Sequence, residues 1–272
     1  MINNLMYLTV LFYCFILDFI FSAEDKTWVF AFSGNRKPLN FEDERVGVLT
    51  GFEVEVVRKV CQTANKTCAT TVSPYTECVR TIDNHFYPGR GIMSGWFDAC
   101  PGYTITQDRI NSMDFTLPYY KTYAKFAVAP GNPTNFTLGK LASSTLTHLS
   151  GSYTNEQCLG RLGYIVGNVT ISYSLQQAKE SILTGESDVL FSPRGRVPGL
   201  WVLGKTLHCD LGGVGVMVKK GSELTRWWNE AFTTIYDNGE YEQICDKWRA
   251  DYRDSIKCLD PRKSDEFRVG EK

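Results

Sequence analysis

At 272 residues the chain is long enough for one large domain or two small ones. Its 43% hydrophobic and 22% charged residues place it among ordinary globular proteins, outside the disordered range. A formal charge of -1, with no basic tract, gives no reason to expect nucleic acid or an acidic membrane surface as partner.

The first element is apolar. Leu5 to Phe21 precede the small pair Ser22 and Ala23 and then Glu24, Asp25 and Lys26, the order of a secretory signal peptide spanning residues 1–23. Asp18 inside this run of about 17 residues disfavours a membrane anchor, because a carboxylate is costly in lipid. No later stretch reaches the roughly 20 apolar residues a spanning helix needs, so no membrane span is expected once the signal is removed.

Trp28 to Phe32 reads as a buried strand ended by Ser33-Gly34-Asn35, and Gly51 opens a helix whose Val54, Val57, Val60 and Cys61 share a face. A Thr- and Val-rich strand comes after Cys68, then a polar helix is predicted around Glu77 to Asp83. Phe97 to Ala99 is expected to be a short strand broken by Pro101-Gly102, and Thr122 to Ala129 a strand leading out of the first unit. In the second unit, Leu146 to Leu149 reads as a strand, Ser150-Gly151-Ser152 as a turn, and Asn155 as the start of a helix. Gln176 to Leu183 reads as a helix, and Val189 to Phe191 as a strand halted by Pro193. Val214 to Val218 returns as a strand. Ser222 then caps a helix carrying Leu224, Trp227, Trp228, Ala231, Phe232 and Ile235 on one face. Asn238-Gly239 stops it, and Tyr241 to Trp248 starts another. Alternating strands and helices predict an α/β protein with largely parallel sheets.

Of nine cysteines, removal of Cys14 with the signal leaves eight, Cys61, Cys68, Cys78, Cys100, Cys158, Cys209, Cys245 and Cys258. An even number behind a signal sequence implies four disulfides in an oxidising, extracellular compartment. There is no C-x-x-C pair, and His85, His148 and His208 lie apart from paired cysteines, so no metal or other cofactor is expected. Asn65, Asn135 and Asn168 are glycosylation sequons, which together with the signal favour a secreted eukaryotic glycoprotein.

Three stretches carry a resemblance. Leu39-Asn40-Phe41-Glu42 is followed by Gly51-Phe52-Glu53. Tyr103-Thr104-Ile105-Thr106-Gln107-Asp108-Arg109 precedes Asp114-Phe115-Thr116 and Pro118-Tyr119-Tyr120. Gly151-Ser152-Tyr153 forms the third. In this order they resemble the polar amino-acid-binding members of the bacterial extracellular solute-binding proteins, family 3, and the related ligand-binding domains of ionotropic glutamate receptors. The likeness implies a type II periplasmic-binding-protein-like α/β fold, with two lobes joined by hinge strands at Tyr123 to Ala129 and Gly213 to Val218. Lobe 1 would take residues 24–124 and 214–258, lobe 2 residues 125–213, with a tail at 259–272. Only about 20 residues separate the lobes after Pro118-Tyr119-Tyr120, too few for an inserted channel.

The resemblance also implies a site for a small carboxylate-bearing molecule, amino-acid-like or an organic acid, in the interlobe cleft. Arg109 would grip the carboxylate with paired donors. Thr104 and Gly102 would add contacts, Ser152 and Tyr153 would reach from lobe 2 with amides at a helix start, and Tyr75 would lie against the ligand. The acids that hold a ligand ammonium in the family fall here at Pro193 and Asn35, so an acid lacking the amine is the expected preference. Asn35 or Ser192 would meet a hydroxyl or keto group, and Arg194 (with Arg196) a second acidic group. The implied disulfides are Cys61–Cys68 and Cys209–Cys258, which leaves Cys78 with Cys100 and Cys158 with Cys245.

Two other readings stand beside this non-enzymatic one. A scaffold or matrix protein could keep the fold without a ligand. A cyclohexadienyl-dehydratase-like enzyme is the second, although Ser192 to Leu200 contains no acid for its chemistry.

Overall fold

The computed structural model describes residues 26–82, 85–193, 197–252 and 258–259. The signal segment, Arg194, Arg196 and the tail beyond residue 259 lie outside the described residues.

Two five-stranded sheets organise the chain. The first begins with β1 (Trp28–Phe32), whose buried residues follow from its near-continuous apolar run. Three short strands, β2 (Asn35–Arg36), β3 (Asn40–Asp43) and β4 (Val48–Thr50), form a small antiparallel sheet beside it. Helix α1 (Phe52–Thr63) starts after Gly51, where φ is 129° and a Cβ would fall 2.3 Å from the Leu39 carbonyl oxygen. Only glycine fits that approach. Strand β5 (Cys68–Val72) pairs parallel to β1.

The polar helix expected after β5 does not form. A 3-10 turn at Tyr75–Glu77 leads instead into a hairpin of β6 (Val79–Ile82) and β7 (His85–Pro88). Burial alternates along β7, the period of a strand rather than a helix. The hairpin is anchored at its base by the Cys78–Cys100 disulfide. After helix α2 (Arg90–Ser94), strand β8 (Ala99–Thr104) runs through Pro101-Gly102 instead of breaking there. The register with the later strand β15 (Val214–Lys219) shifts opposite these two residues. Such a bulge accommodates a proline without an N–H and a glycine at φ 83°. Helix α3 (Gln107–Ser112) and strand β9 (Met113–Phe115) complete this portion, giving the sheet order β5-β1-β8-β15-β9.

The second sheet has the order β12-β11-β13-β10-β14, from β10 (Ala124–Val128), β11 (Thr145–Leu149), β12 (Asn168–Ser172), β13 (Val189–Ser192) and β14 (Trp201–Leu207). Helices α4 (Glu156–Arg161) and α5 (Leu175–Thr184) connect its parallel strands, each capped by the residue before it, Asn155 and Ser174. The chain returns along β15 to helices α6 (Leu224–Asp237) and α7 (Glu240–Asp251). Ser222 lies one residue earlier than a capping position, since Glu223 precedes α6, yet its hydroxyl still accepts the Leu224 N–H at 3.3 Å. Two lobes result, each an α/β unit.

Each lobe has its own core. In the first, Phe30 packs on Trp228 at 5.7 Å and Trp28 on Trp227 at 5.5 Å, joining β1 to α6. Fully burying a side chain such as Phe30 contributes about 1.5–3 kcal/mol. In the second, Phe126 stacks on Phe191 at 4.9 Å. The disulfides respect this division. Cys61–Cys68 and Cys78–Cys100 form as expected, but the other pairs are Cys158–Cys209 and Cys245–Cys258. Cys158 and Cys209 lie in the second core, Cys245 and Cys258 in the first. The expected Cys209–Cys258 and Cys158–Cys245 bridges would have tied one core to the other. Peptide mapping under non-reducing conditions should therefore recover Cys158 linked to Cys209; a Cys158–Cys245 peptide would contradict this arrangement.

Candidate functional site

The cleft between the lobes takes its walls from both. Thr81 and Phe86 of the β6–β7 hairpin and Thr106, Asp108 and Arg109 around the start of α3 line one side. The other side is His148 at the end of β11, the turn Gly151-Ser152-Tyr153, and Asn155 and Arg161 of α4 and its cap.

Arg109 is buried, with 5% of its surface exposed. Its Nη1 donates to the Thr104 carbonyl at 2.8 Å, and its Nη2 donates to the Tyr75 hydroxyl at 3.0 Å and to the Gly151 carbonyl at 3.1 Å. Thr104 thus orients the guanidinium through its backbone, from the last residue of β8. The Gly151 contact crosses the cleft. Tyr75 shares it, its hydroxyl lying 3.4 Å from the same carbonyl while its ring stacks on Tyr103 at 5.0 Å. Gly151 has φ 74°, and a Cβ there would come within 3.0 Å of the Thr81 hydroxyl oxygen on the opposite lobe. A side chain at 151 would be strained at this φ and would press on Thr81.

Other expected positions serve different ends. Gly102 donates its N–H to the Tyr119 hydroxyl at 2.7 Å and accepts from Arg36 Nη1 at 3.1 Å, so both backbone groups are used inside lobe 1. Ser152 spends its N–H on the Leu149 carbonyl at 3.0 Å and its hydroxyl pairs with Thr154 at 2.7 Å. With only six residues, α4 offers little dipole for an anion. Tyr153 does line the cleft, but its hydroxyl meets the Thr122 hydroxyl and donates to the Tyr123 carbonyl at 3.2 Å. Asn35 is exposed and pairs with Phe41 at the edge of the small sheet. Ser192 is buried at the end of β13, opposite Lys125 of β10.

Four charged groups escaped the sequence reasoning. Arg36, one residue past Asn35, faces the opposite way, as successive strand residues do. Its guanidinium lies 4.0 Å from the buried Glu53 carboxylate, which also takes the Tyr120 hydroxyl at 2.8 Å and the Asn40 amide at 2.5 Å. Asp210, on the connection to β15, accepts the Gly212 N–H at 3.2 Å. Burial, with Asp210 nearby, raises the Tyr153 hydroxyl well above its ordinary pKa. Asp108 lines the cleft half-buried, with no hydrogen bond or ion pair among the described residues. The fourth group is a pair. His148, 2% exposed, places Nε2 2.8 Å from Glu156 and Nδ1 3.1 Å from the Leu149 carbonyl.

None of these carried a motif signal. An Asp in the first turn of a helix is ordinary, and nothing in the chain order announces that Arg36 and Asp210 approach the same tyrosine. Among the described residues no group of three or more His, Cys, Asp or Glu side chains is placed to hold a metal ion, and no helix is long and apolar enough to cross a membrane.

A two-lobed α/β clamp with a buried arginine at the cleft defines the class, a solute-binding protein. The chain belongs to the bacterial extracellular solute-binding proteins, family 3, whose pattern it matches over residues 29–251. It is 25% identical over 259 residues to the arginine-binding periplasmic protein of Mannheimia haemolytica, covering 89% of this chain and 96% of that one. It is 28% identical over 226 residues to the L-arginine-binding protein of Pseudomonas aeruginosa, covering 74% and 80%. Among solved structures, a periplasmic His/Glu/Gln/Arg/opine family-binding protein from Silicibacter pomeroyi in complex with lysine superposes with a TM-score of 0.62. It is 21% identical, with 82% of this chain and 96% of that chain covered. The family is one of solute-binding proteins and the relatives just named are binding proteins, which favours the solute-binding reading over the dehydratase one.

The His148–Glu156 pair makes a pH-dependent contribution with a definite sign. The hydrogen bond from His148 holds the Glu156 carboxyl below its usual range. A depressed folded-state pKa means stability that is present above the unfolded value and lost as pH falls through the folded one. Glu156→Gln should therefore be less stable than the parent at neutral pH. The difference should close below about pH 4, the ordinary carboxylate range. Denaturant titrations across that range check this; a gap that stayed constant with pH would exclude the carboxylate as its source.

Proposed function

We propose that the protein is a secreted solute-binding protein whose lobes close on a small molecule bearing a carboxylate, an amino acid or a related organic acid. Arg109 carries the reading. It is the buried cation at the cleft, and one of its donors already rests on an oxygen from the opposite lobe. A ligand carboxylate would replace the Gly151 carbonyl with a charged acceptor, a hydrogen bond roughly twice as strong as a neutral one. Thr104 and Tyr75 orient Arg109, and Tyr153 belongs to the same cleft. The arginine for which two relatives are named carries such a carboxylate.

Arg109→Ala should weaken binding of a carboxylate ligand by about 2–5 kcal/mol, the cost of removing one member of a buried charge pair. Calorimetry giving an unchanged dissociation constant would take Arg109 out of the site. The Gly151 carbonyl on Arg109 also favours a second reading, a clamp that satisfies itself and serves as a scaffold. Native mass spectrometry of the purified protein, before and after denaturation, separates the two by a co-purified small molecule.

Secretion is supported by the apolar N-terminal segment and by four disulfides, which persist in oxidising compartments. We read the chain as a eukaryotic glycoprotein, related also to the ligand-binding domains of ionotropic glutamate receptors, with the lobes divided at 24–124, 125–213 and 214–258. Asn65, Asn135 and Asn168 are all exposed, as a glycan requires. Expressed in eukaryotic cells, the medium should contain the chain shortened by its signal and lightened by enzymatic removal of N-glycans. An unshifted mass after that treatment would exclude occupied sequons.

A further inference from the structure

We propose that Asp108 is the residue that reads positive charge in the cleft, accepting the α-ammonium of a ligand whose carboxylate Arg109 holds. The inference rests on the carboxylate reading above and adds a second, independent contact to it.

The other acids at or behind the cleft are engaged. Glu156 takes His148, Glu53 takes Tyr120, Asn40 and Arg36, and Asp210 takes the Gly212 N–H. Asp108 alone among these makes no hydrogen bond or ion pair with a described residue, and it lines the cleft wall. It is not consumed by its neighbour either, since the hydrogen bonds of Arg109 go to two carbonyls and a hydroxyl. Consecutive residues on a helix point about 100° apart. The start of α3 sets a carboxylate and a guanidinium at adjacent positions that both line the cleft, where their reach can converge on the neighbouring charges of a zwitterionic ligand. A half-buried carboxylate with no donor gains most from a cationic partner that arrives with closure, when water leaves and the interaction strengthens.

This changes the expected selectivity. The ammonium partners looked for at Asn35 and Pro193 are absent, but a carboxylate reaches the cleft from the residue beside Arg109. The amino acid, not the acid lacking its amine, becomes the favoured ligand.

Two plainer roles compete. A first-turn acid stabilises its helix by about 0.3–1 kcal/mol, and six-residue α3 has little dipole to reward. Asp108 could also act at longer range on Arg161, which lines the opposite wall and has no ion pair among the described residues. That attraction would favour closure on any ligand alike.

Calorimetry on the full chain with matched ligands distinguishes these. The probes are L-arginine, L-glutamate and the 2-oxo acid corresponding to each, titrated into the parent, Asp108→Asn, Asp108→Ala and Arg109→Ala. The parent should prefer the amino acid of a pair. Both Asp108 variants should weaken the amino acid by about tenfold or more while leaving its 2-oxo acid unchanged, as expected when a charge partner is removed. Arg109→Ala should weaken both members, and if it weakens neither, the carboxylate reading fails separately. Asp108 is excluded if its variants leave the amino acid unchanged or weaken both members equally, the latter being the signature of interlobe attraction. A parent that prefers the 2-oxo acids, or binds neither amino acid, also overturns the proposal.

Discussion

The contact on which the site depends is the hydrogen bond from Arg109 of one lobe to the Gly151 carbonyl of the other. A buried guanidinium is tolerable only if its donors find acceptors, because leaving a charge uncompensated away from water costs several kcal/mol. Thr104 and Tyr75 satisfy part of it from its own lobe, and Gly151 satisfies part from across the cleft. A glycine suits position 151 because φ there is 74° and a Cβ would press on the Thr81 hydroxyl of the other lobe at 3.0 Å. Closure, the fixed orientation of Arg109 and the left-handed turn before α4 are thus one constraint seen from three residues.

Behind the cleft a second buried charge keeps the first in place. Glu53 is fully buried on α1, and Arg36, Asn40 and Tyr120 converge on it from three other segments. Gly102 sits against this cluster, where a Cβ would come within 2.5 Å of the Glu53 carboxylate. The bulge of β8 at Pro101-Gly102 is thereby pinned, and β8 ends at Thr104, which aims Arg109. The glycine matters because it lets the strand pass the buried carboxylate, and its influence on the site runs through the strand.

The separation of the two cores gives the clamp its mechanical character. Each disulfide closes within one lobe, so none opposes relative motion of the lobes directly. Cys158–Cys209 ties α4 to the segment that leads back to the first lobe, and Cys245–Cys258 holds residue 258 beside Tyr120, where the two form an isolated bridge. Both fasten the ends of the crossing segments to rigid cores.

The sequence by itself determined the α/β class, the long helices and the strands at the centre of each sheet. Their signal is local, as in α6, where a three- and four-residue spacing of Trp227, Trp228, Ala231 and Phe232 is enough to define the buried face. It also pointed to Arg109, because a short motif surrounds it. Tertiary structure decided what depends on distant segments meeting. The paired strands β6 and β7 read as helical because their polar residues carry no clear period, and the bulge in β8 reads as a break because proline and glycine usually end strands. The pairing of Cys158 with Cys209 comes from a shared core that no spacing announces. Arg36, Asp108, Asp210 and the His148–Glu156 pair became visible only on folding, since a charge acquires its meaning from the groups around it, and those groups come from the far side of the chain.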